Sequence, residues 1–216
     1  MKLIIGNKNY SSWSLRAWLL LSAFEVDFEE VKIYLNKQGT AEEIRKYNRA
    51  GKVPALEDEG LIVWDSLAIC EYISETRLDN KGWPQDVEAR ALARSSCAEM
   101  HSGFLVLRER LPMNCRATGR SAEITPELAR EIERIDSLWC SFRQRFMQHG
   151  DYLFGEFSIA DCMFAPVVFR FMTYGVETSE TSRAYIQTMM HHPKMQLWLE
   201  QAREEEEVIL EEEVGR

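Results

Sequence analysis

The sequence predicts an α/β part followed by an all-α part, and three observations carry that prediction. Strand and helix patterns alternate through residues 1–78 in the order β-α-β-α-β-β-α. A polar stretch at 79–87, holding Gly82 and Pro84, then interrupts the pattern. From residue 88 onward only helical patterns occur.

Residues 2–6 form a short apolar run that reads as a buried strand. Residues 12–24 place Leu15, Trp18, Leu19 and Leu21 near helical spacing. Residues 28–34 alternate well enough for a second strand. Residues 40–47 predict a short helix capped by Thr40, with Glu43 three positions on. Residues 54–57 and 61–64 flank Asp58-Glu59-Gly60, a hairpin signal. Residues 66–77 predict a helix capped by Ser66, with Ile69, Tyr72 and Ile73 on one face. Helices between the early strands and a hairpin before the last helix describe a mixed sheet of thioredoxin type. Beyond it, residues 89–110 predict one long amphipathic helix. Pro126 opens another, Ser158 to Tyr174 is strongly apolar, and 183–190 and 194–207 close the chain. The expected division is a thioredoxin-like domain at 1–78, a linker at 79–87 and a helical-bundle domain at 88–216.

Composition narrows the function. Apolar residues at 45% and charged residues at 28% suit a globular protein with a substantial core. No apolar run approaches the roughly 18 residues of a membrane span. The N-terminal apolar stretch ends at Asn7, too soon for a signal peptide, so a cytoplasmic location is expected. Five cysteines without a Cys-x-x-Cys pair argue against structural disulfides and zinc. Four histidines, neighbours only at His191-His192, argue against any metal. A net charge of −9 disfavours nucleic acid and anionic membranes as partners. The acidic runs at 204–207 and 211–213 read as a solvated C-terminal end.

Three segments could carry chemistry. Proline lacks a backbone donor and tolerates a cis peptide, so a cis Val53-Pro54 bond would turn the Val53 N–H and C=O outward. An extended peptide could pair with them in strand fashion. Asp65 and Ser66 stand at a helix start, where free N–H groups attract a carboxylate and an acid takes an ammonium. Together they fit the two ends of an amino-acid zwitterion. The loop Tyr10-Ser11-Ser12-Trp13-Ser14 opens the first helix, where a hydroxyl could donate to a thiolate. Ser158-x-x-Asp161 reads differently, as a structural capping box before an apolar helix.

At these residues the chain resembles the cytosolic glutathione transferases, most like the zeta and theta classes. The Ser-rich loop ending in Arg16, Lys52-Val53-Pro54-Ala55-Leu56, Asp65-Ser66-Leu67-Ala68-Ile69 and the Ser158–Asp161 box carry the resemblance. It implies glutathione as co-substrate, no metal, a small electrophile as second substrate and a homodimer. It also implies roles. Val53, beside Pro54, would pair with the cysteinyl backbone, and Asp65 and Ser66 would hold the γ-glutamyl group. Lys52 and Lys37 are candidates for the glycyl carboxylate. Counted from Arg16, the thiol-activating hydroxyl falls on Ser11 in a zeta-like pattern and on Ser12 in a theta-like one. Tyr10 is a nearby competitor. The implied reaction is conjugation of the glutathione thiol to an electrophile. A maleylacetoacetate-type isomerase and a non-catalytic glutathione-binding or regulatory protein are the alternatives. Trp13 stands where zeta members carry cysteine, which speaks against the isomerase.

Overall fold

The computed structural model describes residues 1–215. Its sheet has four strands, β1 (Lys2–Ile5), β2 (Glu29–Lys32), β3 (Ala55–Asp58) and β4 (Leu61–Trp64), in the order β2-β1-β3-β4. β1 and β2 run parallel; β1–β3 and β3–β4 are antiparallel. This is the predicted mixed sheet. The β3–β4 turn puts Glu59 at φ 50° and Gly60 at φ 86°. Two positive φ values in a two-residue loop match the right-handed twist of the strands it joins.

Three helices complete this part: α1 (Ser12–Ala23), α2 (Thr40–Tyr47) and α3 (Ser66–Arg77). The helical part holds α4 (Val87–Ser102), α5 (Leu105–Arg110), α6 (Pro126–Phe146), α7 (Ile159–Tyr174), α8 (Glu180–His191) and α9 (Pro193–Arg203). α1 packs against both α3 and α7, so one apolar core runs from Leu3 and Ile5 through Leu19 and Leu20 to Phe164 and Val168. α2 is marginal by comparison: Ile44 is its one buried residue, and it joins a small separate cluster with Ile4, Ile33 and Ala55.

Several boundaries differ from the sequence reading. Residues 89–110 are two helices, broken at Gly103-Phe104. Phe104 adopts φ 57° and buries its ring, a side-chain gain that outweighs helical continuity. The cap of α2 is Gly39 in the left-handed region, because Thr40 Oγ1 instead donates to the Tyr34 carbonyl at 2.7 Å. The cap of α3 is Asp65, whose Oδ1 accepts the Leu67 N–H at 2.9 Å; Ser66 is already helical. Residues 204–207 are not helical. The polar stretch before α4 is pinned rather than loose. Trp83 is buried, and the Gly82 carbonyl accepts the Ile159 N–H at 2.8 Å.

The capping box at the start of α7 forms as predicted. The Asp161 carboxylate accepts from Leu153 N–H (3.1 Å), Ser158 N–H (2.9 Å), Ser158 Oγ (3.2 Å) and Tyr185 Oη (3.1 Å). Complete burial pushes its carboxyl up to about 6, against the pull of those four donors. It is still ionised at neutral pH.

Candidate functional site

The N-terminal ends of α1 and α3 meet at a cleft of about 860 Å³, whose far wall comes from the helical part. Tyr10, Ser11, Ser12, Trp13, Lys52, Val53, Pro54, Asp65 and Ser66 all line it. Of the residues expected to bind glutathione or activate its thiol, Lys37 lies elsewhere. Its ammonium pairs with Glu207 at 3.2 Å and sits 4.1 Å over the Tyr34 ring.

The first loop is held from both sides. The Asn7 carbonyl accepts the N–H of Tyr10 (3.2 Å) and of Ser11 (2.8 Å). Asn9 bonds Asn114 at 2.9 Å and accepts the Arg116 N–H at 2.8 Å, tying the loop to the helical part. Ser11 caps α1 in position but makes no side-chain capping bond. Its hydroxyl donates to Ser14 Oγ at 2.7 Å, and Ser14 Oγ also accepts the Gly6 N–H at 3.0 Å. Hydroxyls rotate to suit their partners. If Ser14 turns to donate to Ser11, the Ser11 proton is released toward the cleft. The chain Gly6 N–H, Ser14 O–H, Ser11 O–H is then polarised in one direction. Ser12 is half-buried, and among the described residues its side chain makes no hydrogen bond. Tyr10 is already committed: it donates to Glu213 at 2.7 Å and accepts from Arg116 at 3.0 Å. Burial and the Glu213 bond push its hydroxyl pKa up, which suits a structural hydroxyl.

The second side of the cleft is built by the loop before β3 and the start of α3. The Val53–Pro54 bond is cis. The Lys52 carbonyl is fixed by Asn48 Nδ2 at 2.8 Å. Asp65 sits at φ 77°, a conformation that a non-glycine residue rarely adopts. It presents Oδ2 to His101 Nε2 of α4, 3.2 Å away. Beside it, Ser66 Oγ is buried with no hydrogen-bond partner among the described residues. More than nine in ten buried polar groups are paired. An orphaned hydroxyl on a helix N-terminus, facing a cleft, is a ready contact for a carboxylate.

The far wall carries His101, Arg108, Arg170 and Glu212. Trp13 connects the two sides: its ring meets His101 edge-on at 5.1 Å and lies 4.6 Å from the Arg108 guanidinium. The sequence places Ser14 in the loop that could supply a hydroxyl, and it does not single out Arg170. The signal for Arg170 was present, since it is the single charged residue between Cys162 and Tyr174 of an apolar helix. Cys70 is buried, and burial raises its thiol pKa, so it is inert packing. Among the described residues, no group of three His, Cys, Asp or Glu is placed to hold a metal ion, and no helix is long and apolar enough to cross a membrane.

Known proteins share this architecture. The family model described as "Glutathione S-transferase, N-terminal domain" matches residues 10–76, and "Glutathione S-transferase, C-terminal domain" matches residues 125–201. The chain is similar to "Maleylacetoacetate isomerase" from Rattus norvegicus, 38% identical over 96 residues, which is 43% of this chain and 44% of that protein. This match spans less than half of the rat protein. "Probable maleylacetoacetate isomerase" from Caenorhabditis elegans is 27% identical over 173 residues, 78% of each chain. Among solved structures, a glutathione transferase homolog from Burkholderia gl BGR1, with bound glutathione, superposes with a TM-score of 0.72 at 23% identity. It covers 94% of this chain and 98% of its own. A diazinon-metabolizing glutathione S-transferase of the silkworm Bombyx mori gives a TM-score of 0.71 at 20% identity over 94% and 98% of the two chains. These structures share the fold. With family models matching in both parts of the chain, the protein belongs to the glutathione S-transferase family.

Proposed function

We propose that the chain is a glutathione transferase that binds glutathione along the first part of the cleft and conjugates its sulfur to a small electrophile entering from the helical side. The orphaned Ser66 hydroxyl carries this reading. It lies beside Asp65, in the cleft that Val53 and the serine loop also line. Ser66 and the α3 N–H groups take the γ-glutamyl carboxylate, and Asp65 takes its ammonium. Val53 pairs with the cysteinyl backbone, and Lys52 is left for the glycyl carboxylate. Ser11, backed by Ser14, donates to the thiolate; Ser12 is the alternative donor. Residues 1–78 then form the glutathione-binding domain, 79–87 the linker and 88–216 the domain that closes the cleft. The chain works as a cytoplasmic homodimer, which sedimentation velocity tests.

Ser66→Ala is expected to weaken glutathione binding about 10-fold or more, since a hydrogen bond to a charged group contributes about 1.5–3 kcal/mol. Calorimetric titration of both proteins measures this. An unchanged Kd would remove Ser66 from the site. The isomerase names of the relatives favour a second reading, glutathione-dependent cis–trans isomerisation. A direct assay with maleylacetoacetate separates the two: net consumption of glutathione marks conjugation, and its recovery marks isomerisation.

A further inference from the structure

The acidic runs at 204–207 and 211–213, expected in solvent, are in part built into the protein. The side chains of Glu205 and Glu213 are buried, and both reach the first loop from beyond α9. The Glu205 carboxylate accepts the Lys8 N–H at 2.8 Å through Oε1 and the Asn9 N–H at 3.0 Å through Oε2. Lys32 Nζ, on β2, lies 3.3 Å from the same Oε1. Arg116 donates to the Glu205 and Glu207 carbonyls and so ties this segment to the helical part. Further on, Glu213 Oε1 accepts from Tyr10 Oη at 2.7 Å and Asn114 Nδ2 at 2.9 Å, while Oε2 pairs with Arg120 at 2.6 Å. Ile209, between the two acids in sequence, is buried.

Lys8 and Asn9 need this help. β1 ends at Ile5 and α1 begins at Ser12, so neither ladder supplies an acceptor for their N–H groups. A carboxylate is a stronger acceptor than a neutral carbonyl, and its burial is tolerated where both oxygens are engaged. The Asn9 peptide is held on its other side by the helical part, where its carbonyl accepts the Cys115 N–H at 3.1 Å. Two residues on stands Ser11, whose own N–H returns to the Asn7 carbonyl at 2.8 Å. A donor to a thiolate stabilises it only while its aim is fixed in advance. The aim of Ser11 is therefore set by a short loop whose backbone Glu205 holds.

We propose that Glu205 is a positioning residue for thiol activation: it fixes the Lys8–Asn9 backbone so that Ser11 Oγ stays aimed at the glutathione sulfur, and Glu213 is the second hold on the same loop. Neither acid lines the cleft, so the effect passes through the loop. This rests on the transferase reading.

Glu205→Gln is the test, because it keeps the shape but turns an amide N–H2 toward one of the two backbone donors. The thiol pKa of bound glutathione is expected to rise by about 1 unit, and kcat at neutral pH to fall about 10-fold. The glutathione Kd should stay within about threefold, since Val53, Asp65 and Ser66 are untouched. Glu206→Gln removes the same charge from an exposed neighbour and should change neither quantity. In a Ser11→Ala background Glu205→Gln should add no further shift, because the hydroxyl it positions is gone. Thermal melting checks folding; should Glu205→Gln fail to fold, Glu213→Gln puts the same question at the second hold. An unchanged thiol pKa in the folded variant, an equal shift in Glu206→Gln, or a full further shift in the Ser11→Ala background overturns the proposal. Absence of glutathione binding by the wild-type protein would instead overturn the transferase reading. Amide hydrogen exchange at Lys8 and Asn9 then still decides whether Glu205 holds the loop: it is expected to be at least about 10-fold faster in Glu205→Gln, and an unchanged rate contradicts the hold.

Discussion

Ser11→Ala is expected to raise the thiol pKa of bound glutathione by about 1–2 units. One hydrogen bond to a charged group contributes about 1.5–3 kcal/mol, and each unit of pKa corresponds to about 1.4 kcal/mol. A free thiol ionises near about 8.5, so the wild-type site is expected to hold a substantial thiolate fraction at neutral pH. The sign follows directly: a donor to the charged form lowers the pKa, and its removal lets the pKa rise. The conjugation rate at neutral pH should fall about 10- to 100-fold in the variant. That difference should shrink as the pH climbs past the free thiol value, where both proteins hold thiolate. Ser14→Ala cuts the relay one step back, at the hydroxyl 2.7 Å from Ser11, and should show a smaller shift. Ser12→Ala should change little. Ultraviolet titration of the thiolate in the three variants checks the order, and a larger shift in Ser12→Ala than in Ser11→Ala would move the donor to Ser12.

Asp161→Ala is expected to be the most destabilising single change, by about 3–5 kcal/mol. It strands donors from Leu153, Ser158 and Tyr185 in a buried place. Each stranded donor costs about 1–3 kcal/mol, less whatever local relaxation or entering water recovers. At the size of this chain the midpoint of thermal unfolding should drop by roughly 10 °C. Asp161→Asn keeps one acceptor oxygen and should lose less. Urea unfolding measures both. Glutathione affinity of the folded fraction should stay within about twofold, since Asp161 does not line the cleft. A loss under about 1 kcal/mol would mean that the box does not fasten α7.

The fold was legible because its signals are local. The Asp58-Glu59-Gly60 turn, the β-α alternation and the proline at the start of α6 each act within a few residues. The break at Gly103-Phe104 was not legible, because it depends on where the Phe104 ring finds a core to enter. The cap of α3 was misplaced by one residue for a related reason. Asp65 and Ser66 are both good caps, and only the path of the chain leaving the strand before them decides which one stands at the cap. In the site, the residues close in sequence to a helix start were legible: Ser11, Ser12, Asp65 and Ser66 all face the cleft. Lys37 was not, because its partner, Glu207, lies 170 positions further along the chain.

The central claim is that the cleft beside α1 and α3 clasps a γ-linked tripeptide with its sulfur toward Ser11. Isothermal titration of the folded protein with glutathione, repeated with the α-linked isomer of the same three residues, tests it most directly. The account predicts saturable one-site heat with glutathione and a markedly weaker response to the isomer, whose zwitterion cannot span Asp65 and Ser66 while its cysteine reaches Val53. No heat with millimolar glutathione, or equal heat with both peptides, would contradict it.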